Sequence, residues 1–84
     1  MNLEEAIAFV LKQYRKKYNL SQEKLAHLCG LDRTFISLLE RGKRKPTLNT
    51  IFILSEAFEI KASEIVQEVE KILDENFKQK SNPG

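Results

Sequence analysis

The chain has one cysteine, Cys29, and one histidine, His27. A single thiol excludes an internal disulfide framework, and one thiol with one imidazole supplies too few ligands for a structural zinc site. No metal and no cofactor is therefore expected. No apolar run approaches the roughly 18 residues that a membrane span requires, and the opening MNLEEAIAFVLKQ is acidic where a secretory signal is basic. A cytoplasmic location is the expectation, and no membrane is expected among the partners. Acid-base or nucleophilic chemistry is equally short of residues, so an enzyme is not expected. Strand-like alternation, internal repeats and low-complexity stretches are missing too.

What is present is a chain of 84 residues, enough for one small core and no second one. With 42% apolar and 31% charged residues, it reads as globular rather than disordered, and association would help so small a core. The net charge of +2 hides a strong asymmetry. Residues 12–24 hold five basic side chains against one acidic, and residues 31–50 hold five against two. Residues 56–75 hold seven acidic against two basic. A basic front half and an acidic back half favour a polyanionic partner at the front.

Apolar residues recur at helical spacing through five segments. Leu3, Ile7, Val10, Leu11, Tyr14 and Tyr18 mark a first helix over 3–17, opened by the capping-box pair Asn2 and Glu5. Asn19 is suited to end it in the left-handed conformation, and Ser21 caps a short second helix over 22–29. Gly30 and Leu31 interrupt, Asp32 caps a third helix from Arg33 to about Arg41, and Gly42 closes it. Thr47 caps a fourth helix reaching about 58, with Ile51, Leu54 and Phe58 inward. Ile65, Val66, Val69, Ile72 and Leu73 mark a fifth over 62–75, followed by a flexible polar tail, 77–84. Cys29 reads as a small core residue and His27 as an exposed one.

Two short helices joined by a glycine turn form a corner with fixed demands. Ala26 must be small where the helices cross, Gly30 must make the turn, and Ile36 and Leu39 must point inward. The helical period then turns Arg33, Thr34, Ser37, Leu38 and Arg41 outward. Long donors, hydroxyls and one apolar side chain on a single face suit base edges in a major groove, where acceptors and thymine methyls are offered. The following GKRK suits the adjacent phosphates.

The stretch LSQEKLAHLCGLDRTFISLLERGKRKPTLNTIFILSEAF, residues 20–58, resembles the lambda-repressor and Cro type of DNA-binding domain, also called the xenobiotic-response-element family. The resemblance implies an all-α, five-helix lambda-repressor-like domain with its helix-turn-helix at about 22–41. The run LDRTFIS followed by ERGKR is similar to controller proteins of restriction-modification systems, although short phage repressors, antitoxins and developmental regulators share much of it. By position, the resemblance assigns Arg33, Thr34 and Ser37 to bases, and the outward face of helix three adds Leu38. The resemblance assigns Gln22, Lys43, Arg44 and Lys45 to phosphates, and Arg41 and Asn49 are expected to join them. Arg15 and Glu40 match a structural ion pair tying helix one to the end of helix three. Phe35 stands where controller proteins often have tyrosine, Glu59 where glycine often ends helix four, and Lys61 where a Ser or Thr cap is usual.

Ile53 adds an apolar residue on the far side of helix four from Ile51, and a spare apolar patch marks an interface. A homodimer is expected through helix five, using Ile65, Val69, Ile72 and Leu73, with Ile53 or Phe52 contributing. Residues 1–76 would then hold both DNA binding and dimerisation. Two-fold symmetry places the recognition helices about 34 Å apart, matching an inverted repeat. The expected function is a dimeric, autoregulatory transcription regulator, a restriction-modification controller in preference to a phage-type repressor or antitoxin, with double-stranded DNA and RNA polymerase as partners. A protein-interaction module built on the same corner is the alternative from another class.

Overall fold

The computed structural model describes residues 1–81, with side chains described through Glu75. Five helices follow in order: α1 (Leu3–Lys17), α2 (Gln22–Cys29), α3 (Arg33–Glu40), α4 (Leu48–Ala57) and α5 (Ala62–Ser81). Each of the first four starts at a side-chain cap. Asn2 and Glu5 form a reciprocal capping box on α1, Ser21 and Thr47 accept from the backbone N–H three residues on, and Asp32 accepts from Thr34 N–H at 3.0 Å.

The same four helices end alike. A residue in the left-handed region, Asn19, Gly30, Gly42 or Glu59, lets the next N–H reach back five residues. The resulting bonds are Leu20 to Arg15, Leu31 to Ala26, Lys43 to Leu38 and Ile60 to Ser55, all between 2.9 and 3.0 Å. After α1, α2 and α4, the residue beyond the left-handed one is Leu20, Leu31 or Ile60, which packs against the core. After α3 it is Lys43, which is exposed. The basic loop thus leaves the body at the one of these four helix ends without an apolar plug.

Val10, Leu11, Leu25, Ile36, Leu39, Leu54, Phe58, Ile65 and Val69 form the centre of one core. α1 packs against α5 and α3, α2 against α3 and α4, and α4 against α5. Tyr14 and Tyr18 both stack on Phe58, with ring centroids 5.6 and 6.1 Å apart.

Three sequence expectations need correction here. α5 continues to Ser81 instead of stopping at 75, so a tail beginning at 77 starts too early; residues 76–81 contain neither proline nor glycine to break the helix. Residues 82–84 lie outside the described residues. The buried stripe of α1 is carried by Ala6, Ala8, Val10 and Leu11, while Leu3 and Tyr18 are exposed. Ala6 and Ala8 are thus buried off the expected line, and Ala6 packs in the core, where a helix flanked by two others has room for only a small side chain. Val66 on α5 is exposed as well.

Candidate nucleic-acid interface

The corner between α2 and α3 is locked from inside. Ala26 is 4% exposed, Ile36 1% and Leu39 2%, and Gly30 makes the turn at φ 65°. With that face fixed, Arg33 and Thr34 are exposed at the start of α3, and Ser37 and Leu38 are half-buried one turn later. Arg41 is exposed beyond the helix end, its Nε donating to the Ser37 carbonyl at 3.4 Å. Lys43, Arg44, Lys45 and Asn49 are exposed.

Cations without internal partners dominate this surface. Among the described residues, the side chains of Arg33, Lys43 and Arg44 carry no hydrogen bond or ion pair. Lys45 Nζ lies 3.8 Å from Glu4 Oε1, an exposed and loose contact. Glu4 was not anticipated from the sequence, because only the tertiary fold brings the start of α1 beside the basic loop. Asn2, Glu4, Gly42, Lys43, Arg44 and Lys45 together line a recess of about 320 Å³.

Beneath the surface lies a fully paired ionic cluster. Arg15 donates to Glu40 through Nε at 2.6 Å and Nη2 at 3.0 Å, and through Nη1 to the Leu20 carbonyl at 2.7 Å. The two side chains are 12% and 3% exposed. The forked geometry supplies two parallel charge-assisted bonds and joins α1, the turn after it and the end of α3. Gln22, assigned to phosphate by resemblance, also donates through Nε2 to Glu40 Oε1 at 3.1 Å. That contact carries no sequence signal, since eighteen residues separate its partners.

The residues expected at a dimer interface divide. Ile65 is 1% exposed and Val69 6%, so both are spent in the protomer's own core and cannot form the interface surface. They face the layer where α5 closes over α1 and α4. Ile53, Ile72 and Leu73 keep part of their surface, while Leu48, Phe52 and Val66 are exposed large apolar side chains on α4 and α5.

Cys29 is half-buried, and burial raises its thiol above the ordinary pKa. Among the described residues, no group of three or more His, Cys, Asp or Glu is placed to hold a metal ion. No described helix is long and apolar enough to cross a membrane.

Comparison with known proteins gives concordant results. A helix-turn-helix family model matches residues 11–65. Control protein C.SmaI of Serratia marcescens is 46% identical over 57 residues, covering 68% of this chain and 68% of that protein. The structure of the restriction-modification controller protein C.AhdI from Aeromonas hydrophila is similar at a TM-score of 0.72 and 37% identity, over 74% of this chain and 94% of that one. The controller protein C.Esp1396I, solved as a tetramer in complex with its natural 35 base-pair operator, matches at a TM-score of 0.77 and 30% identity. That match covers 84% of this chain and 93% of the other.

Proposed function

The chain belongs to the helix-turn-helix family of DNA-binding transcription regulators, and from that premise we propose that it binds an inverted-repeat operator as a homodimer. One observation carries the reading: α3 is pinned by Ile36 and Leu39 while Arg33, Lys43 and Arg44 stand outward without partners among the described residues. A cationic face with a rigid backing is what sequence readout requires, because base contacts carry information only in a fixed register. In this reading Arg33, Thr34, Ser37 and Leu38 meet base edges. Gln22, Arg41, Lys43, Arg44, Lys45 and Asn49 hold the phosphates on either side.

Dimerisation uses the apolar surface that the core leaves over on α4 and α5: Phe52, Ile53, Val66, Ile72 and Leu73. Residues 1–76 form the functional domain, although α5 itself continues past that limit. The similarity to controller proteins supports a restriction-modification controller that acts on its own promoter and meets RNA polymerase there. Catalysis has no part in this reading.

The test is a mobility-shift titration of the duplex upstream of the protein's own coding sequence against an unrelated duplex of equal length, at fixed near-physiological salt. Specific binding should exceed nonspecific by about 10³-fold or more. Equal affinity for both duplexes would remove autoregulation. Failure to bind either, with folded protein, would favour the protein-interaction module.

A further inference from the structure

Glu40 ends α3 and Gln22 opens α2, so their contact spans the two helices of the corner. A carboxylate can only accept, so the amide face turned toward Glu40 is the nitrogen. That bond uses one of the two amide N–H groups. The second has no partner among the described residues.

We propose that Glu40 is a positioning residue for DNA binding, holding the Gln22 amide so that its second N–H is offered to a backbone phosphate. The proposal rests on the reading of Gln22 as a phosphate contact. A glutamine side chain has three rotatable bonds, and any freedom lost before DNA arrives is not lost again on binding. Glu40 removes that freedom in the free protein. An anionic carboxylate would ordinarily repel a neighbouring phosphate, and the Arg15 fork offsets its charge while leaving one Glu40 oxygen to serve Gln22 as well. The ion pair therefore has a second duty beyond fixing the corner: it makes a buried acid compatible with a polyanion beside it.

The experiment titrates the full chain, carrying ¹⁵N-labelled glutamine, with a generic duplex at low salt. Wild type, Gln22→Ala, Glu40→Asp and the double variant are compared. Glu40→Asp keeps a negative charge opposite Arg15 but draws the carboxylate back from Gln22 and from the Arg15 fork alike, so the melt of each variant is recorded beside its binding to separate a loosened corner from a lost contact. Each single variant should bind about threefold to tenfold more weakly, as for loss of one hydrogen bond. The double variant should lose no more than either alone. The Gln22 side-chain amide should be ordered in free wild type and mobile in free Glu40→Asp.

Additive losses with an amide that stays ordered in Glu40→Asp would overturn the proposal and leave Glu40 purely architectural. Unchanged binding in Gln22→Ala would refute the phosphate contact itself, and is distinguishable because amide order is read without DNA.

Discussion

Replacing Arg15 by methionine tests how the corner is held. Methionine preserves most of the aliphatic volume but removes three hydrogen bonds, two to Glu40 and one to the Leu20 carbonyl. Glu40, only 3% exposed, would keep a single neutral donor, Gln22. Breaking a buried pair from one side costs about 3–5 kcal/mol, because the remaining charge stays desolvated. A domain of this size is worth about 4–13 kcal/mol in total, so the variant should sit near the edge of folding. At about 4–8 °C per kcal/mol, the fall in Tm is roughly 12–40 °C. Circular dichroism melts must be run at one protein concentration, since the proposed dimer would contribute to apparent stability. The paired variant Arg15→Met with Glu40→Met should recover most of the loss, because removing both charges removes the desolvation penalty. A loss under about 1 kcal/mol in Arg15→Met would be the behaviour of an exposed pair and would refute the reasoning.

Arg33→Ala should cost about 1–3 kcal/mol on the cognate site and relax preference at one base pair, read by competition between single-substituted duplexes; equal loss on every sequence would make Arg33 a phosphate contact. Lys45→Ala should weaken specific and nonspecific binding together and reduce the slope of log affinity against log salt by about one, and an unchanged slope would take Lys45 out of the phosphate set. Glu59 holds a left-handed conformation at φ 56°, so Glu59→Gly should raise stability by about 0.5–1 kcal/mol after allowing for the glycine's greater freedom when unfolded. A lower Tm in that variant would mean that the Glu59 side chain contributes more than its backbone costs.

Local chemistry was the most legible layer of the sequence. Asn2, Ser21, Asp32 and Thr47 cap helices in the structure because a short oxygen beside an unpaired N–H is a near-neighbour matter. The corner was legible for a related reason, since Ala26, Gly30, Ile36 and Leu39 answer steric demands at fixed spacing. Less legible was how far each apolar residue is spent inside one protomer. Ile65 and Val69 have the same character as Ile72, and only the packing of α1 and α4 over α5 separates core from leftover surface. Ala6 and Ala8 carry little signal because small residues add little to an apolar stripe, although both are buried. The Gln22–Glu40 and Glu4–Lys45 contacts depend wholly on tertiary placement.

The most direct test of the central claim is selection from a random duplex pool at near-physiological salt, followed by sequencing of the bound fraction. An outward-reading α3 in a two-fold dimer predicts an enriched inverted repeat whose half-sites are centred about one helical turn, or a multiple of it, apart. A folded protein that enriches no sequence, or only an asymmetric half-site, would contradict symmetric readout by this face.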